Sequence, residues 1–217
     1  MTTKTIPSEL SEIWRSIKDE VMWTHGRWIL YRQLFGTDEH RVSILNRSAS
    51  TAFSMIQGMM LNDIQLSISR LGDPAGSGAR KNLTLRRLLV EVRKVNEATL
   101  ASELEPLIDI FESHTENVRT RRNKAIAHLD LATKLETSVV SCAGPSREEI
   151  ETALESLRGV LNHIELYFTD SQTLYNDCIL RAAGDSLISS LTRGLRYSEL
   201  VKARDIPHDD LRINFKK

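Results

Sequence analysis

The sequence has few cysteines, and none in a pattern that serves metal binding or disulfide bonding. Cys142 and Cys178 lie far apart, without CxxC or Cys/His spacing, which argues against a zinc site and a disulfide framework. The six histidines are equally scattered along the chain. We therefore expect two reduced thiols, no metal site and no bound cofactor.

The chain also lacks net charge and long apolar runs. Its 29 basic residues equal its 29 acidic residues, so no global field would gather nucleic acid or an acidic membrane, and any RNA-binding surface must be local. Nowhere do about 18 apolar residues follow one another, and the polar N-terminal stretch has no apolar core of a signal peptide. We expect a cytoplasmic protein that does not enter a membrane.

A phosphate-binding glycine loop is not indicated either. Gly76-Ser77-Gly78 lacks a following Lys-Ser/Thr pair and a preceding strand. The sequence predicts a plain loop over 73–81 and a polar C-terminal tail over 205–217. Because both segments are rich in small or polar residues, we expect them to be the least ordered parts of the chain.

Apolar residues spaced by three and four fill most of the length. This period is typical of amphipathic helices and predicts helices over about 8–35, 38–71, 83–96, 100–127, 147–175 and 185–202. The second helix would be on the order of 50 Å long and form the spine of a bundle. We predict an all-α protein: an antiparallel bundle of about five to six helices in a single domain, 1–217.

Local signals mark several helix ends. Gly36 should end the first helix, and Gly72-Asp73-Pro74 should end the second. Ser146 and Glu149 have the spacing of a capping box that opens the fifth. Between the fourth and fifth predicted helices, 129–145 loses the helical period and is predicted to be a loop with an extended piece at Val139-Val140.

The fourth predicted helix carries a cation on its apolar side. Steps of three and four from Phe111 through Val118 lead to Arg122, and burying a charge without a partner costs several kcal/mol. An anionic group or a second subunit's groove should therefore receive it. The basic run could equally be a solvated helix C-terminus, where cations offset the helix dipole, and the pattern alone favours this simpler interpretation.

The segment from Arg122 to His128 resembles the signature of the HEPN superfamily. In that signature an Arg, usually followed by a polar residue such as Asn123, precedes a His after about four to six residues. The surrounding sequence resembles the abortive-infection AbiU-type branch in 31–35, 63–74 and 81–85, and in Asp130. The resemblance covers about 23–130 and implies a helical bundle that pairs about a two-fold axis.

The spacing of the two motif residues limits how they can meet. Six helical residues separate Arg122 from His128 by roughly 9 Å of rise and about 120° of rotation. A dimer, or a helix end near Ala127, would bring the two groups together. Arg121 lies about two turns before His128 on nearly the same face and also fits the spacing, but we prefer Arg122 because Asn123 follows it.

The resemblance implies a metal-independent endoribonuclease in bacterial phage defence or a toxin. Arg122 would hold the charge that develops on phosphate oxygens, and His128 would act as base or acid. Other residues would support catalysis or guide the RNA backbone: Asn123 and Asp130, and Arg119, Arg121 and Lys124.

The expected partners are RNA and a second copy of the chain, with a neutralising antitoxin as a further candidate. The alternative is a catalytically inactive helical module that binds RNA, a nucleotide or a protein through the same groove, since a fold does not fix a function.

Overall fold

A computed structural model describes residues 5–79, 81–126 and 144–205. Within these ranges the chain forms seven α-helices and no β-strand, which confirms the all-α prediction. None of the described helices is long and apolar enough to cross a bilayer. Cys178 is a free, half-buried thiol, whereas Cys142 and Val139-Val140 lie outside the described residues.

The helices follow the predicted order. They are α1 (Ser8–Tyr31), α2 (Glu39–Leu71), α3 (Leu85–Lys94), α4 (Ala98–His114), α5 (Glu116–Arg121), α6 (Arg147–Thr169) and α7 (Gly184–Lys202). A π-helical turn, Arg32–Gly36, follows α1, another, Arg122–Ile126, follows α5, and a 3-10 turn spans Tyr175–Asp177. The Cα positions group into two compact units, one within Met1–Ile29 and Met60–Ile179 and the other within Leu30–Met59 and Leu180–Lys217. The single domain over 1–217 stays a prediction.

Two predicted helices were too long. The one over 100–127 is divided at Thr115, whose buried hydroxyl donates to the carbonyls of Phe111 at 3.0 Å and Glu112 at 3.1 Å. The side chain thus takes up carbonyls that the end of α4 leaves unpaired. The one over 147–175 ends at Thr169, because Asp170 adopts the left-handed conformation of a helix C-cap, with φ of 51°.

The first unit has its core between α4 and α6. The two helices pack against each other, and burying each of their aliphatic side chains contributes about 1.5–3 kcal/mol. The fully buried residues include Leu100, Leu104, Ile108, Phe111, Ile150, Leu154, Leu157, Leu161 and Ile164. The predicted capping box is confirmed, since Ser146 Oγ accepts from the Glu149 N–H and Glu149 accepts from the Ser146 N–H.

A buried carboxylate joins α1 to the segment after α6. Glu165 accepts hydrogen bonds from Lys18 Nζ at 2.6 Å, Thr173 Oγ1 at 2.7 Å and the Tyr175 hydroxyl at 3.3 Å. Three donors offset the cost of removing the charge from water. Burial and the neighbouring Glu165 raise the pKa of Tyr175, so the phenol stays protonated and keeps donating.

The second unit combines buried apolar side chains with polar contacts between its segments. The buried residues include Tyr31, Leu34, Phe35, Ile44 and Leu45. Arg41 pairs with Asp185 at 2.5 Å, Arg47 pairs with Glu199 at 2.7 Å, and the Gly184 N–H donates to a Gln33 side chain. The apolar side chains of α2 are buried near its two ends and only half-buried or exposed in its middle, at Phe53, Met55, Ile56, Met59 and Met60. The helix also kinks at Ala49, where the backbone leaves the helical region.

We predict that His25 makes stability depend on pH. Its side chain is buried on α1, and among the described residues Nε2 has no hydrogen-bond partner. Burial, with a smaller effect of Arg158, lowers the pKa of His25 to about 4. Since an unfolded His titrates near about 6.5, the unfolded chain binds more protons between these values. This stabilisation is complete above about pH 6.5 and is lost towards pH 4, by up to about 1.4 kcal/mol per pH unit.

Urea denaturation at several pH values between 7.5 and 4.5 measures this loss. The His25→Gln variant is the control, because a glutamine cannot take up the proton. The wild type should lose more free energy of unfolding than the variant as the pH falls. Parallel curves for the two proteins would contradict the assignment.

Candidate functional site

Arg122 opens the π-helical turn that follows α5. Its side chain is only 16% exposed, and Val118, one turn earlier, is completely buried. The preceding six residues form α5, a short helix that begins directly after the break at Thr115. The cation therefore lies at the edge of the core of the first unit, on the stripe that the sequence placed it on.

The anion that receives this cation comes from the same chain. Arg122 Nη1 lies 2.8 Å from Asp73 Oδ1 and 2.7 Å from Asp73 Oδ2. A cation on the apolar stripe was expected to meet either an anionic group or a second subunit's groove, and Asp73 is such an anionic group. The charge of Arg122 alone thus gives no reason to expect a second subunit.

A close backbone contact brings Asp73 to this position. Gly72 lies so near the end of α4 that a Cβ atom on it would be 3.3 Å from Phe111 Cε1 and 3.7 Å from Thr115 Oγ1. The Asp73 N–H donates to the Arg70 carbonyl at 3.1 Å. A glycine here lets the end of α2 lie against the break between α4 and α5.

The other guanidinium nitrogens of Arg122 differ in their contacts. Nε donates to the side-chain oxygen of Asn123 at 3.0 Å. Nη2 has no acceptor among the described residues. Asn123 itself is exposed, so this edge of the guanidinium lies beside solvent-accessible surface.

The basic residues proposed to guide RNA lie around this turn. Arg119, Arg121 and Lys124 are all half-buried. Arg121 lies against Gly144, where a Cβ atom would be 3.4 Å from its Cζ, and thus has different surroundings from Arg122. His128 and Asp130 lie outside the described residues.

A shallow depression of about 340 Å³ adjoins the turn. Its lining combines one cation, Arg119, with two carboxylates, Glu112 and Glu116, and two uncharged polar side chains, Thr120 and Asn123. Glu112 is paired with Arg86 through two hydrogen bonds of 2.7 and 2.8 Å, which raise the pKa of Arg86. The charge beside Arg119, one of the residues proposed to guide RNA, is therefore mixed.

A second depression of about 360 Å³ lies between α5 and the start of α6, lined by Ser113, His114, Glu116, Asn117, Glu148, Glu149 and Thr152. Across it the Asn117 amide donates to Glu149, the acid of the capping box. Hydrogen bonds from the Ser146 N–H and from Asn117 hold the pKa of Glu149 below its ordinary value. Asn117 and Glu149 thus tie α5 to the start of α6.

Asp73 is a site residue that was not predicted from the sequence. Gly72-Asp73-Pro74 was interpreted only as a helix stop, although 63–74 belongs to the segments that carry the family resemblance. A carboxylate directly after a helix end, in a chain with a cation on an apolar stripe, was the available signal.

Among the described residues no three His, Cys, Asp or Glu side chains lie together as a metal site.

The chain matches the HEPN-type family model described as AbiU2 over residues 8–193. Searches of curated proteins and of solved structures found no match. The family match extends from the first turn of α1 into α7. It therefore includes the C-terminal half, which the resemblance over 23–130 had treated only as further helix.

Proposed function

The chain belongs to the AbiU2 family of HEPN-type abortive-infection proteins, and on this premise we propose that it is a metal-independent endoribonuclease. The observation that carries the proposal is the set of hydrogen bonds that Arg122 makes. Its guanidinium is fixed on two nitrogens, while Nη2 has no acceptor among the described residues. A held cation with one open donor edge suits a phosphate whose charge grows during reaction.

The proposed reaction needs only protein groups. A base takes the proton of the ribose 2′-hydroxyl, whose oxygen attacks the adjacent phosphorus, and an acid protonates the departing 5′-oxygen. The products are a 2′,3′-cyclic phosphate and a 5′-hydroxyl. We assign the proton transfers to His128, since an imidazole near its ordinary pKa of about 6.5 can take both roles. Arg122 would hold the pentacoordinate phosphorane.

RNA binding would rely on the residues around this turn. Because Arg122 is paired with Asp73, we assign the general attraction for the RNA backbone to Arg119, Arg121 and Lys124. Asn123 orients Arg122 Nε, and Asp130 is proposed to support His128. Binding through a few cations should weaken as salt rises.

We propose that a two-fold dimer completes the site. The family resemblance implies such pairing, and the spacing of Arg122 and His128 prevents their meeting within one straight helix. The interface would include α5 and the turn Arg122–Ile126. The activity would act in the cytoplasm on cellular or phage RNA, as part of phage defence or as a toxin held by an antitoxin.

Replacing either motif residue should abolish most cleavage. His128→Ala and Arg122→Ala are each expected to lower the cleavage rate by about 10²-fold or more, because one loses a proton carrier and the other loses phosphorane stabilisation. Arg121→Ala is the matched control and should cost far less, since Arg121 lies against Gly144 rather than Asp73. Rates are measured on a mixed RNA pool, with helicity checked by circular dichroism.

The products test the mechanism separately. Cleavage should persist in EDTA and leave a 2′,3′-cyclic phosphate, because the nucleophile is the neighbouring hydroxyl. Loss of activity in EDTA would refute the mechanism even for a nuclease. Salt-sensitive RNA binding without any cleavage would instead support the inactive binding module.

The dimer should be present at micromolar concentration. Light scattering is expected to give twice the chain mass of 24.6 kDa, and hydrogen exchange in α5 should become faster on dilution as the interface opens. Exchange in α3 serves as the internal control. A monomer at all concentrations, with α5 exchange unchanged, would overturn the composite site.

A further inference from the structure

We propose that Asp73 is a positioning residue for Arg122, fixing its guanidinium so that Nη2 meets the reacting phosphate. The inference deepens the proposed ribonuclease function and rests on it. Asp73 would not contact RNA itself. It would set the direction of the cation that does.

The pairing geometry leaves one side of Arg122 open. An arginine and a carboxylate often form a fork in which two guanidinium nitrogens each meet one oxygen, as Arg86 does with Glu112. Asp73 instead places both oxygens on Nη1 alone, at 2.8 and 2.7 Å. Asn123 takes Nε. Nη2 has no acceptor among the described residues, so its two N–H donors remain available to an anion while the other nitrogens are held.

A second arginine of the same unit shows a different arrangement. All three nitrogens of Arg27 have acceptors: the Trp23 carbonyl, Asp63, and Glu20 with Thr24. All the hydrogen-bonding nitrogens of Arg27 are therefore used within the protein, as expected for a structural ion pair. By comparison, one nitrogen of Arg122, Nη2, has no acceptor in the described part of the chain. Yet the Arg122 side chain is less exposed than that of Arg27, at 16% against 29%.

The backbone that carries Asp73 is held by its neighbours. Gly72 lies against Phe111 and Thr115, and the Asp73 N–H is bonded to the Arg70 carbonyl. Pro74 follows and restricts the backbone further. Because the backbone is held in this way, the Asp73 carboxylate can limit the rotamers that the longer Arg122 side chain would otherwise sample.

The opposite role would be masking, in which Asp73 neutralises Arg122 and keeps RNA away. The two roles predict opposite results when the carboxylate is removed. Loss of a positioning group lowers turnover, whereas loss of a mask raises RNA affinity or activity. Nη2 is open while Nη1 is occupied, so the geometry favours positioning.

The test compares Asp73→Asn with Asp63→Asn in the dimeric full chain. Asp63 is a matched control, because it also pairs with an arginine near the end of α2 but is half exposed. Asp73→Asn should lower kcat by about 10-fold or more with KM for RNA changed by less than about threefold, since an amide offers only one acceptor oxygen. Asp63→Asn should stay within about twofold. Asp73→Glu should recover part of kcat by restoring the carboxylate.

Higher activity or tighter RNA binding in Asp73→Asn would overturn positioning in favour of masking. Equal losses in kcat and thermal stability, with no recovery in Asp73→Glu, would reduce Asp73 to a structural counter-ion. A higher KM for RNA with kcat unchanged would also contradict the proposal. Circular dichroism and light scattering establish that each variant is folded and paired.

A readout without cleavage keeps this inference separate from the proposed function. The Nε–H signal of Arg122, assigned by its loss in Arg122→Lys, should shift on addition of inorganic phosphate in the wild type. In Asp73→Asn the shift should fall by about threefold or more, and in Asp63→Asn it should persist. If the wild type cleaves no RNA but shows this pattern, the ribonuclease proposal fails while positioning stands. If phosphate leaves the wild-type signal unchanged, positioning is refuted.

Discussion

The candidate site depends on the close approach of Gly72 to the break between α4 and α5. A Cβ atom at this position would lie 3.3 Å from Phe111 Cε1, so either the Phe111 ring or the end of α2 would have to shift by a few tenths of an ångström. That approach places Asp73 beside Arg122, and the resulting ion pair lets a cation remain at the edge of an apolar core. Glycine, aspartate and arginine thus act as one unit, although the last two lie 49 residues apart.

Much of the fold could be predicted because most helices bury one side, and the three-and-four period records this directly. The break at Thr115 could not, since no glycine or proline marks it and the residue acts through hydrogen bonds to carbonyls one turn back. Pro106 shows the reverse: it lies inside α4, yet the helix continues through it. The kink at Ala49 has no sequence signal that we recognise.

The candidate site also contains residues that could be predicted from the sequence and residues that could not. Arg122 was identifiable because a permanent charge on an apolar stripe conflicts with burial, and the neighbouring motif gave it a role. Asp73 was not, because its partner is distant in sequence and only tertiary packing brings the two together. The mixed charge beside Arg119 was also missed, since Glu116 and Glu112 lie about one and two turns before the basic run and line the same depression.

The bond between Asn117 and Glu149 has a consequence for the order of folding. It closes a loop of 32 residues, so it forms only after the entropy of that closure has been overcome. The capping box of α6 is local and needs no such closure. We therefore expect α6 to be structured in the folding transition state and α5, with Arg122 behind it, to dock afterwards. Substitutions in α5 would then accelerate unfolding and leave the folding rate nearly unchanged.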